Sequence, residues 1–161
     1  MRKFLTEGDL VVAEVQQISN MDKSINLHIR NESFGKLKSG ALLQVSPDLI
    51  KKQKRHMIDL SMGIKLILAM NGWVWVELID EEDDEGYEKI AKLLNILKIF
   101  NELYVAIRIQ DMLNCYNLCK GKKASEIPFS PMRDHIVDYL VKAVNQISKE
   151  KIGEIISGED N

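Results

Sequence analysis

Residues 61–78, SMGIKLILAMNGWVWVEL, constrain the fold of this chain more than any other stretch. Two apolar runs flank Asn71-Gly72, the dipeptide that most readily reverses a strand, with positive φ expected at both positions. Ile64, Leu66, Leu68 and Met70 alternate before the turn, and Trp73 and Trp75 alternate with Val74 and Val76 after it. β-Branched and aromatic side chains suit a pleated, packed surface, so the spacing predicts a core hairpin. Taken alone, that spacing carries a fold and no chemistry.

Upstream, two further strands are expected. DLVVAEV over residues 9–15 alternates imperfectly, while Ile25, Leu27 and Ile29 alternate cleanly with Asn26, His28 and Arg30. Ser19, Asn20, Met21, Asp22 and Lys23 supply turn chemistry between them. A lone two-stranded hairpin is marginal in water, so this pair must pack on something. Residues 31–40 are polar, and a strand over 41–45 ends at Ser46-Pro47, where proline lacks the N–H that pairing needs.

Downstream of the hairpin the period becomes helical. Ile90, Leu93, Leu94, Leu97 and Phe100 form one stripe, which continues through Leu103, Tyr104 and Ile107. A second helix over 110–118 closes at Lys120-Gly121-Lys122-Lys123. A third opens at Ser130 as N-cap with Pro131 at the first helical position, and carries Met132, Ile136, Leu140, Val144 and Ile147. Strands followed by helices predict an α+β fold with helices on one face of a sheet.

Two charge runs bracket the hairpin. Lys51, Lys52, Lys54 and Arg55 place four cations in five positions, which reads either as a solvated face or as a phosphate-contacting patch. The net charge of −2 leaves room for such a patch while excluding a chain that is basic all over. Asp80, Glu81, Glu82, Asp83, Asp84 and Glu85 are consecutive carboxylates and predict a solvated loop. They lack the spaced ligands of a hard-cation cage, so no metal is expected.

Cys115 and Cys119 fall on one helix face with no His pair to complete a four-ligand zinc site, and are expected as buried reduced thiols. No apolar run reaches the roughly 18 residues of a membrane span, and no membrane partner is expected. Gly-x-Ser-x-Gly, His-Glu-x-x-His and P-loop patterns do not occur, which argues against an enzyme and against a cofactor.

Three pieces in order, EGDLVVAEVQ (7–16), GKLKSGALLQVSPDLIKKQKRH (35–56) and LILAMNGWVWV (66–76), together resemble the S1/KH-type cap subunits of the RNA exosome, the eukaryotic ribosomal RNA processing protein 4 family. The most specific element is that family's Gly-x-Asn-Gly hairpin before an aromatic strand. It is matched by Ala69-Met70-Asn71-Gly72 and Trp73-Val74-Trp75. The resemblance implies two remnant S1 (OB-type) β-strands over residues 1–33, a KH-like domain over 34–152 with a β-sheet covered by helices, and a flexible acidic tail over 153–161.

It further implies a non-catalytic scaffold on a ring of RNase PH-like subunits, in nucleus, nucleolus and cytoplasm, that contacts single-stranded RNA weakly and electrostatically. The alternative is a pure protein–protein adaptor. Lys51, Lys52, Lys54 and Arg55 would make the RNA contact, with Lys36 and Lys38 nearby in sequence, while Ala69, Asn71, Gly72, Trp73 and Trp75 would be structural.

Three departures from the family pattern stand out. Ala69 replaces the family's first glycine, which costs about 1 kcal/mol if that position needs positive φ. KH domains clamp the RNA backbone with a Gly-x-x-Gly loop between two helices, and residues 51–56 contain no glycine. An S1 barrel closes with five strands, whereas the resemblance begins here near the fourth. Exposed strand edges are therefore expected, with either self-association or poor order over residues 1–33.

Overall fold

The computed structural model describes residues 5–30 and 33–158. Two compact units divide the chain, one over residues 1–40 and one over 41–161. The architecture is α+β, with short paired strands followed by a four-stranded sheet and three helices.

The first unit contains β1 (Val11–Val12), β2 (Glu14–Ile18), β3 (Ile25–His28) and β4 (Gly35–Lys36). β1 pairs antiparallel with β4, and β2 with β3. The single strand expected over 9–15 is thus split at Ala13, and its halves serve different partners. The β2–β3 turn closes as its sequence predicts. Ser19 N–H donates to the Ser24 carbonyl at 2.9 Å, and Asp22 Oδ1 accepts from the Ser24 N–H at 3.1 Å and its hydroxyl at 2.8 Å. Hydrogen bonds from Ser19 and Ser24 hold the Asp22 carboxyl down to about 2.

A bulge between Val15 and Gln17 decides which side chains share a face. Strand residues normally alternate, but one extra residue resets the phase. Val15 and Ile18, three apart in sequence, therefore both face the side of their partners Leu27 and Ile25. These four are 58%, 59%, 63% and 57% exposed, so the hairpin carries an uncovered apolar face. Glu14, Gln17, Asn26 and His28 occupy the other side.

In the second unit β5 (Ala41–Gln44), β6 (Met57–Leu60), β7 (Ile64–Leu68) and β8 (Trp73–Leu78) form one antiparallel sheet in the order β5-β8-β7-β6. The predicted hairpin, β7–β8, is its centre. Sequence period did not reveal β6, because four residues directly after a cation run are too few to show alternation. The helices are α1 (Gly86–Glu102), α2 (Ile109–Leu118) and α3 (Met132–Gly158).

One sheet face supplies Ile64, Leu66, Leu68, Val74 and Val76 to the core, and α1 covers it with Ile90, Leu93, Leu97 and Phe100. α1 also touches α2 and α3, which is why Ile96 and Ile99, outside the expected stripe, are buried as well. Met112 and Cys115 from α2 and Ile136 and Leu140 from α3 complete this core.

Three local expectations are corrected. α1 ends at Glu102, and Tyr104 takes φ 54°, so Ile107 enters the core from extended backbone that bridges Ile50. The Ser130 hydroxyl donates to the Asp134 carboxylate instead of capping a backbone N–H, and α3 starts at Met132. α3 then runs through Gly153 to Gly158, where a flexible tail was expected; residues 159–161 lie outside the described ones. A buried polar group joins α2 to α3. Asp111 pairs with Arg108 and accepts from the Tyr139 hydroxyl at 3.2 Å, and that hydroxyl accepts from Asn114 at 2.7 Å. Both thiols are free and buried, and desolvation pushes Cys115 up to about 12.

Candidate nucleic-acid interface

Residues 51–56 bridge a single 3-10 turn, Pro47–Leu49, and strand β6. Both ends of this segment are tied to the core. At its start Ile50 bridges Ile107, whose N–H donates to the Leu49 carbonyl at 2.8 Å. At its end the anchor is the ring of His56. Gln53 N–H donates to His56 Nε2 at 3.3 Å, which makes Nε2 the acceptor and leaves the proton on Nδ1. Nδ1–H then donates to the Leu68 carbonyl at 2.8 Å, while Leu68 N–H donates to the His56 carbonyl at 2.9 Å. The imidazole thus closes the β6–β7 ladder where the strand gives way to loop. Neither period nor spacing marked His56 for this role.

Between these anchors Lys51, Lys52, Lys54 and Arg55 project from the loop, and among the described residues none of them forms an ion pair. Lys36 and Lys38 belong to the first unit. Lys36 sits on β4 with Nζ 2.7 Å from Asp9 Oδ1, and that bond holds the Asp9 carboxyl below its ordinary value. Its charge is largely neutralised locally, whereas Lys38 is exposed.

The segment has neither glycine nor a flanking pair of α-helices. A Gly-x-x-Gly clamp works by bringing bare backbone against phosphates. Here the side chains intervene, so the chemistry on offer is charge at the tip of long, mobile stems, with little geometric selectivity.

The neighbouring hairpin turn has a different geometry from the one its Asn-Gly suggests. Gly72 N–H donates to the Ala69 carbonyl at 3.0 Å, and Ala69 N–H donates to the Trp73 carbonyl at 3.0 Å. Within the turn only Gly72 takes positive φ, at 88°. This is a three-residue loop closed by a left-handed glycine, in place of a two-residue turn with both positions left-handed. Asn71 instead accepts the Trp73 N–H on its side-chain oxygen at 3.2 Å. Ala69 needs no positive φ, so replacing the family's first glycine costs nothing there.

The two tryptophans, alike in sequence, separate in the structure. Trp75 is 5% exposed and its Nε1–H donates to Glu77 at 2.7 Å. Trp73 is 40% exposed.

The acidic run lies at the opposite end of the sheet from the basic one. Ile79 N–H donates to the Gly63 carbonyl, at the β6–β7 turn, while the basic segment adjoins Leu68 at the other end of β7. The run folds on itself as two carboxylate-closed turns. Asp80 accepts the Glu82 N–H at 3.0 Å and Asp83 the Glu85 N–H at 3.1 Å. Lys89 reaches back to Asp83 at 2.6 Å, which lowers the Asp83 carboxyl and raises the lysine. Among the described residues no three His, Cys, Asp or Glu side chains are placed to hold a metal, and no helix is long and apolar enough to cross a membrane.

Comparison with known proteins bears out the family resemblance. Residues 40–81 match the KH domain family, covering β5 to β8 with the basic segment inside. The chain is 50% identical to Exosome complex component RRP4 of Bos taurus over 95% of its own length and 56% of that protein. It is 31% identical to the RRP4 homolog of Caenorhabditis elegans over 79% of its length and 47% of that protein. With the Saccharomyces cerevisiae component it shares 41% identity over 52% of its length and 23% of that protein. The chain thus spans about half the length of the relatives it matches most fully.

Proposed function

We propose, taking the likeness to Exosome complex component RRP4 as premise, that this chain forms part of a non-catalytic cap subunit of the RNA exosome. It would scaffold a ring of RNase PH-like subunits and touch single-stranded RNA weakly, in nucleus, nucleolus and cytoplasm. The observation that carries this reading is the identity extending over 95% of the chain, including the segment that runs from β1 to the end of the KH match.

Within it, the four cations of residues 51–55 are the RNA contact. Clustered cations release counterions from a nucleic acid, which yields affinity that is steep in salt and tolerant of sequence. The uncovered apolar face and open edges of β2–β3 support association through the first unit, with another subunit or with a second copy. Co-purification from the native source tests the assembly. Recovery of RNase PH-like proteins is expected, and a lone monomer would overturn it.

A pure adaptor that never touches RNA is the second reading. The lack of a Gly-x-x-Gly loop and of flanking helices around residues 51–56 favours it. Absence of binding to oligonucleotides at low salt would select it.

A further inference from the structure

Sheet register brings one exposed aromatic side chain next to the basic segment. Met57 pairs with Ile67, Ile67 with Trp75, and Trp75 with Leu42, so these four share a row and a face. Two residues further along each strand, Ala69 bonds Trp73, and Trp73 pairs with Gln44 on the same face by the two-residue period. On the other side of β7, Leu68 bonds His56, so the chain leaves β6 at Arg55, beside Ala69. Adjacent strands are about 4.8 Å apart, which puts the exit of the basic segment roughly 10 Å from the Trp73 backbone. Only the methyl of Ala69 stands between them on that row.

Trp73 is 40% exposed there, while Trp75, two residues on, is buried and hydrogen-bonded. The pairing of a half-open indole with unpaired cations is the combination that holds single strands, since the charges track the backbone and every base has a π-face to stack.

We propose that Trp73 is a stacking platform for one base of a single-stranded RNA whose phosphates lie along residues 51–55. This rests on the reading that the basic segment contacts RNA. It adds an affinity component that charge cannot supply, insensitive to salt and tolerant of base identity. It also assigns the two tryptophans separate roles, Trp75 to the sheet and Trp73 to the ligand.

The test is titration of the full chain with oligouridine and oligoadenosine of about 12 nucleotides, within the usual site size, followed by tryptophan emission and by anisotropy of labelled RNA. Stacking predicts quenching of wild-type emission that is lost in Trp73→Phe, whose affinity stays near wild type. Trp73→Leu, which keeps apolar bulk without the flat ring, should bind about 5- to 150-fold more weakly. Its slope of log affinity against log salt should stay unchanged, because no charge is removed. Binding by the wild type with unaltered emission, and equal affinity in Trp73→Leu, would overturn the platform while leaving the basic segment in place. Failure of the wild type to bind at about 50 mM salt would overturn both.

Discussion

The backbone N–H of Val45 donates to the carbonyl of Gly72 at 2.8 Å, and this approach leaves no room for a side chain on the glycine. A Cβ there would collide with the Val45 carbonyl oxygen and fall 3.1 Å from Pro47 Cγ, and Gly72 already needs positive φ. Gly72→Ala should therefore destabilise the protein by about 2–5 kcal/mol, from strain and overpacking together. Ala69→Gly, at the other corner of the turn, should lose no more than about 1 kcal/mol. Urea unfolding of the pair gives the comparison directly.

How far the sequence carried the fold follows from that turn. Asn-Gly correctly announced a hairpin, but its hydrogen-bonded frame begins at Ala69, and the dihedrals at Asn71 follow that frame. The long apolar stripes were legible because α1 and β7–β8 bury whole faces. β6 was hidden, as four residues beside a cation run carry no period. The candidate site was half visible. The cations of residues 51–55 stand out in composition, whereas the Lys36–Asp9 pair and the ring of His56 depend on residues remote in sequence meeting in space.

His56 predicts an effect on local order. His56→Ala removes the bonds to Gln53 and Leu68, costs about 1–3 kcal/mol, and frees the end of the basic segment. Limited trypsin digestion should then cut after Lys51, Lys52, Lys54 or Arg55 faster than in wild type, with the melting temperature lowered. Equal cleavage rates would remove the ring from its anchoring role.

Replacing Lys51, Lys52, Lys54 and Arg55 together with alanine should weaken RNA binding and flatten its salt dependence. For a single strand, every phosphate that is no longer neutralised lowers the slope by about 0.7. Lys36→Ala should change the slope far less, since Asp9 already faces that charge. Affinity measured at three salt concentrations separates the two.

The Asp83–Lys89 pair makes stability depend on pH in a defined sense. The Asp83 carboxyl is lowered by the hydrogen bond from Lys89, so its contribution is present above the ordinary value of 3.8 and is lost as acid titrates through the lowered folded value. The lysine is raised by the same bond, and its contribution is lost as pH climbs past 10.5 and through its folded value. Asp83→Asn should remove the acid dependence of this pair and weaken the alkaline one, where Glu85 and Tyr116 still act on Lys89, which thermal melts across acid and alkaline pH will show.

For the β2–β3 hairpin, Ile25→Lys and Leu27→Lys place charge on its apolar face. Sedimentation velocity should show the wild type associating with rising concentration and the double variant remaining smaller. Identical profiles would exclude that face as the contact. The polar side offers the control, because Asn26→Lys should leave association intact.

The separation of the two charge runs also sets the range over which each acts. β7 is five residues long, about 17 Å, so the acidic and basic ends of the sheet stand farther apart than the roughly 8 Å Debye length at physiological ionic strength. Each end then presents largely its own field to an approaching polyanion, only weakly reduced by the other. Near 0.01 M salt the screening length grows to about 30 Å, and the sheet behaves as one extended dipole. An incoming strand would then feel a torque as well as an attraction, turned end-on toward the basic loop before contact is made.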